Sequence, residues 1–134
     1  MKLMLDTNIC IAIIKNKPKD ILQKFNDYQV GDICISSITL AELRDGVAKS
    51  QYQEQNKAAL DEFILPLEVA DFDHMAAFFY GKLRTDLEKQ GTPIGPLDTL
   101  IGAHALSLNL TLVTNNTKEF NRIPRLKLID WISH

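Results

Sequence analysis

Membrane-length apolar runs, clustered cysteines, repeats, low-complexity tracts and a marked excess of either charge are all missing from this chain, and each absence removes a class of protein. No uninterrupted apolar stretch approaches the ~20 residues of a membrane span, and the apolar N-terminus meets Asp6 too early for a secretory segment. The cytoplasm is the expected compartment. Cysteine is limited to Cys10 and Cys34, both in apolar stretches, so both are expected as reduced core residues. A net charge of −2 is unlike the basic balance of most nucleic-acid binders, and any contact with phosphate must therefore be local. No glycine-rich loop follows the first apolar run, which argues against a nucleotide-binding module. An aspartyl phosphotransferase would want a second Asp two residues after the first, and Asn8 stands there. His74, His104 and His134 pair neither with one another nor with a cysteine at ligand spacing, which removes a zinc site and a paired-histidine base. His104 is expected in or near the core.

What is present is a rhythm of short apolar runs and longer amphipathic ones. The 134 residues make one domain, long enough to bury about two-thirds of its unfolded surface. Strands are expected at 2–5, 33–35, 67–69, 110–113 and 126–129. Helices are expected at 7–15, at 18–28 with Pro18 in the first turn, after Ser36 or Ser37 with Leu40, Leu43 and Val47 on one face, and at 52–64 before Pro66. A long helix over 72–90 closes at Gly91-Thr92-Pro93, Pro96 starts another that runs to Ser107, and a short one spans 117–121. Trp131 is expected to fold back onto the core. Adjacent Phe78 and Phe79 cannot face the same way on a helix, so one of them offers itself as an interface. Strands separated by helices of this length predict an α/β fold: a central, mostly parallel sheet with helices on both faces.

Ligands of such sheets bind beyond the carboxyl ends of the strands. Asp6 ends the first strand, Glu42 follows the second, Asp98 opens a helix, and Thr114-Asn115-Asn116 leaves the fourth strand, so sequence-distant segments converge on one edge. Each acid also has a plain structural reading. Asp6 can cap its helix, Glu42 can close a capping box with Thr39 unless the helix begins at Ser37, and Asp98 complements a helix N-terminus. Asn116 and Glu119 fit a cap with its box partner. Their coincidence at one edge is what favours a site. Carboxylates about 5 Å apart repel by roughly 3 kcal/mol at an effective dielectric near 20, so a cluster of them needs protonation, pairing or a cation. Oxygen donors alone favour Mg²⁺ or Mn²⁺ over zinc.

These motifs resemble the PIN domain, and within it the VapC toxin ribonucleases of bacterial toxin–antitoxin pairs. The resemblance runs nearly end to end: Met4-Leu5-Asp6-Thr7-Asn8, then Ser36-Ser37-Ile38-Thr39-Leu40-Ala41-Glu42-Leu43 with Gly46, then Gly95 to Ala105 around Asp98, then Val113-Thr114-Asn115-Asn116 with Glu119-Phe120, and Asp130-Trp131. It implies metal-dependent RNA cleavage with Asp6, Glu42 and Asp98 as the acidic, metal-binding cluster. Many PIN domains carry a fourth acid where Asn116 stands. An amide oxygen ligates without contributing charge, so one firm Mg²⁺ site is expected, with a second conditional on Asn116 and Glu119. Thr7 or Asn8, and Thr114, are expected to hold the carboxylates by hydrogen bonds.

The expected reaction is in-line attack by water, leaving 5′-phosphate and 3′-hydroxyl ends without use of the ribose 2′-hydroxyl. Lys15, Lys17, Lys19, Arg44, Lys49, Lys82, Arg84 and Lys89 are candidates for holding RNA, with Arg44 favoured because it stands two residues from Glu42. The resemblance further implies a VapB-like antitoxin that places a basic side chain among the acids, a homodimer built through helices, and relatives that cut initiator transfer RNA at the anticodon stem-loop. The rival expectation is a catalytically weak PIN-like module that binds RNA or protein without cutting.

Overall fold

The computed structural model describes residues 1–132, so His134 lies outside the described residues. Its core is a sheet of strands β1 (Leu3–Leu5), β2 (Ile33–Ser36), β3 (Glu68–Ala70), β4 (Thr111–Val113) and β5 (Leu128–Ile129). All neighbours pair in parallel, in the order β3-β2-β1-β4-β5. Helices α1 (Thr7–Lys15), α2 (Ile21–Asn26), α3 (Ser37–Lys49) and α4 (Gln53–Ile64) precede β3. Helices α5 (His74–Lys89), α6 (Pro96–Ser107) and α7 (Thr117–Phe120) follow it.

The period-two geometry of the strands sends alternate side chains into two cores. Leu3, Leu5, Ile33, Ile35 and Val113 pack with Ile9, Ile13, Leu43 and Leu60 on one face. Met4, Cys34 and Leu112 pack with Leu83, Leu87, Ile101 and Phe120 on the other. Helices therefore cover both faces, as parallel crossovers require. Alternation turns Cys34 of β2 into the second core while Cys10 of α1 lies in the first, and both are free and buried. Trp131 is 4% exposed and stacks on Tyr28 at 5.8 Å.

Element ends follow local chemistry. Gly91 (φ 72°) ends α5: its N–H bonds the Glu88 carbonyl, and the Thr92 N–H bonds that of Leu87, a pair of contacts that needs a left-handed residue. The second helix departs from expectation, since it starts at Ile21 and ends at Asn26. Ile21 N–H bonds the Pro18 carbonyl at 3.0 Å, so residues 18–20 form the turn that leads into the helix. Ile21 is its sole buried residue, too little apolar surface to hold a longer one. Gly102 lets α6 approach the segment after α7, because a Cβ there would meet Ile123 Cδ1 at 2.5 Å.

Candidate active site

Parallel pairing brings the carboxyl ends of β1, β2 and β4 to one edge, with Leu5 beside both Ile35 and Val113. Asp6 leaves that edge with its N–H bonded to the Val113 carbonyl at 3.0 Å. Its Oδ1 accepts the Ile9 N–H at 2.9 Å and its Oδ2 accepts the Thr114 hydroxyl at 2.5 Å, and the residue is only 4% exposed. Asp6 is thus a helix cap and a cluster member at once. Ser36, not Thr39, caps α3 by accepting the Ile38 N–H, which puts Glu42 in the second turn and removes the capping box. Glu42 Oε1 instead accepts the Thr7 hydroxyl at 2.7 Å, linking α3 to the first residue of α1.

Asp98 stands in the first turn of α6 behind Pro96. The Asn116 amide nitrogen lies 3.4 Å from Asp98 Oδ2 and 3.3 Å from Glu119 Oε2. Asn116 makes no side-chain cap on α7, so that reading is corrected: its amide spans two carboxylates instead of closing a box. The Thr114 hydroxyl accepts the Asn116 N–H at 3.0 Å while donating to Asp6, so one hydroxyl positions both.

The electrostatics identify these groups as one cluster. Burial raises the Asp98 carboxyl to a pKa of about 6, helped by Glu119, Asp6 and Glu42. Burial also raises Asp6, with Glu42 and Asp130 adding to it against the bonds from Thr114 and Ile9. Among the described residues no Lys or Arg forms an ion pair with Asp6, Glu42, Asp98 or Glu119. No group of three or more of the described His, Cys, Asp or Glu is closed enough to grip an ion as the side chains stand. The donor chemistry still fits a hard divalent cation, because every available donor is oxygen and the carboxylates repel one another.

Two expected contributors stand apart. Asn8 is exposed and its side chain makes no hydrogen bond with the acids, leaving that task to Thr7 and Thr114. Arg44 is held by Asp61 of α4 at 2.8 Å, and Lys57 reaches the same carboxylate at 2.7 Å. The structure also adds Asp130, one residue past β5, whose charge acts on Asp6. Its signal in the sequence was the same as that of Asp6, an apolar run ending in an acid. Beside Glu42, α1, α3 and α4 leave a groove of about 280 Å³ lined chiefly by Ile11, Ile14, Leu43, Val47 and Leu60.

A parallel five-stranded sheet with acids from separate elements at its carboxyl edge is the architecture of the PIN domain, and the PIN domain family model matches residues 3–126. The chain is 49% identical over 131 residues to the tRNA(fMet)-specific endonuclease VapC of Shigella flexneri, covering 98% of each. It is 50% identical over 134 residues to the ribonuclease VapC2 of Rickettsia felis, covering 96% of each. The structure of DNA-bound VapBC from Salmonella typhimurium superposes with a TM-score of 0.93 at 50% identity, with 98% of each chain covered. That of Rickettsia felis VapBC2 on a promoter DNA fragment gives 0.91 at 48% identity, covering 98% of this chain and 99% of that one. The chain belongs to the PIN-domain family and, within it, to the VapC ribonucleases.

Proposed function

We propose that the protein is the toxin of a VapBC-type pair, a Mg²⁺- or Mn²⁺-dependent endoribonuclease in which one PIN unit fills the chain and Asp6, Glu42 and Asp98 form the reacting cluster. The observation that carries this reading is the convergence of acids from separate elements on Asp98, whose carboxyl is raised by burial and by Glu119, Asp6 and Glu42, with no Lys or Arg ion-paired to any of these four among the described residues. Asp6 and Asp98 would hold a divalent cation, which when bound would supply charge neutralisation at the phosphate and an activated water. Thr114 fixes Asp6, Thr7 fixes Glu42, and Glu42 orients the water for in-line attack. Rotation of the Asn116 amide by half a turn would present its oxygen instead of its nitrogen, and with Glu119 that oxygen would offer a weaker second position for a cation. Arg44 contacts RNA only by leaving Asp61. The substrate is RNA met in the cytoplasm, with initiator transfer RNA the first candidate because the Shigella relative carries that specificity in its name.

The partner is a VapB-like antitoxin. An amphipathic helix of that partner fits the groove of Ile11, Ile14, Leu43, Val47 and Leu60, and an Arg at its end reaches Glu42 and satisfies the paired carboxylates. Exposed Met75 and Phe78 on α5 support a homodimer through helices.

Purified, antitoxin-free protein is incubated with total bacterial RNA and with initiator transfer RNA, in Mg²⁺ or EDTA, beside Asp98→Asn. Discrete EDTA-sensitive cuts with 5′-phosphate ends, lost in the variant, support the nuclease. RNA binding without cleavage under any metal would move the assignment to a non-cutting module.

A further inference from the structure

His104 is 1% exposed, yet it lies in none of the acid contacts. Its Nδ1 is 2.7 Å from Ser36 Oγ, a bond between α6 and the end of β2 across 68 residues of sequence. Ser36 Oγ also accepts the Ile38 N–H that starts α3, so the imidazole touches the cap of the helix that carries Glu42. The ring meets the edge of Phe72 at 5.3 Å and 74°, and the Phe72 N–H bonds Ser37 Oγ at 3.0 Å. Three segments thus meet at one side chain: α6, the start of α3 and the loop before α5. Burial holds the ring neutral, against the pull of Asp73 and Asp71 in the facing loop. The Asp71 backbone is the ring's other polar neighbour, and Nε2 itself makes no hydrogen bond of full geometry.

The spacing gives this contact a consequence. Asp98 lies six residues before His104 on α6, and Glu42 lies six residues beyond Ser36 on α3, each about 9 Å along its helix. A rotation or slide of either helix at the His104–Ser36 bond therefore moves one acid against the other. We infer that His104 is a positioning residue whose bond to Ser36 sets the separation of Glu42 and Asp98, and hence the affinity of the cluster for its divalent cation. The inference rests on the metal-dependent reading above and adds a residue that touches neither metal nor RNA.

The test measures Mn²⁺ binding by calorimetry, without RNA, for the full chain and for His104→Phe, His104→Asn and Ser36→Ala, with thermal unfolding and the split between kcat and KM alongside. His104→Phe keeps an aromatic ring and loses the bond, whereas Asn places an oxygen near Nδ1. Phe is expected to weaken Mn²⁺ binding about tenfold and lower kcat more than it raises KM, and Asn to restore most of both. Ser36→Ala is expected to match Phe, and it takes over the test if Phe does not fold. Folded variants with lower thermal stability but unchanged Mn²⁺ affinity and kcat would overturn the inference. Wild-type protein that binds no Mn²⁺ would instead overturn the metal reading on which it stands.

Discussion

Asp98 is where the chemistry and the stability of the molecule oppose each other. Its folded pKa of about 6 stands above the ordinary 3.8, so the folded state binds its proton more tightly than the unfolded state does. The stability this contributes is fully present below pH 3.8 and is lost as pH rises through about 6. Metal-free Asp98→Asn is therefore expected to abolish cleavage while melting higher than wild type at pH 7, by on the order of 1 kcal/mol after screening at this half-buried site. The gain should fade as pH falls toward 4, and melting curves across that range check it. Thr114→Val takes the opposite direction: it strips Asp6 Oδ2 of its hydroxyl donor and the Asn116 N–H of its acceptor, and about 1–3 kcal/mol of stability should go with activity. At this scale the sequence offered Asp6 and Asp98 as candidates because each closes or opens an apolar run at an element boundary, and Glu42 because it follows the second strand from within α3. Asp130 has the same local signal but a two-residue strand before it, and the His104–Ser36 bond has no local signal at all.

At the scale of elements, the groove between α1, α3 and α4 makes a prediction separable from catalysis. Ile14 is 36% exposed at that groove, and Ile14→Asp is expected to weaken antitoxin binding at least tenfold, since it sets an unpaired charge against an apolar helix, with cleavage by free toxin unchanged. Titration calorimetry beside the RNA assay reads both. Helix α6 is constrained from its other side by Gly102: Gly102→Ala forces its methyl group into Ile123 Cδ1. Repacking the buried Ile123 tip should outweigh the better helix propensity of Ala and leave a net loss of at most about 1 kcal/mol, read by chemical denaturation. Periodicity placed the five strands and the seven α-helices of the described residues, because alternation and amphipathic spacing are local, but not the short 3-10 turn at Val30–Asp32. Ser36, one of the two caps expected, starts α3, whereas α2 begins past Pro18 because a local turn bond from Ile21 to Pro18 holds residues 18–20, and Asn116 leaves the cap of α7 to bridge Asp98 and Glu119.

For the whole molecule, a net charge of −2 means that RNA is held by a few local cations. The affinity of cleavage-dead Asp98→Asn for single-stranded RNA should fall with salt at a log–log slope of only about −2 to −3, some three or four phosphates at ~0.7 each, measured by fluorescence anisotropy. A markedly steeper slope would require a longer basic track than the few local cations expected here. The sequence by itself determined the α/β class, the parallel sheet and the family, because hydrophobic period, element length and motif order are written along the chain. Only the tertiary structure decided which oxygen each carboxylate offers, which cations are already paired, and which buried histidine ties the two acid-bearing helices together. The decisive pairs, Thr7 with Glu42, Ser36 with His104 and Asp6 with Thr114, are 35, 68 and 108 residues apart in sequence and meet only once the sheet has set their register.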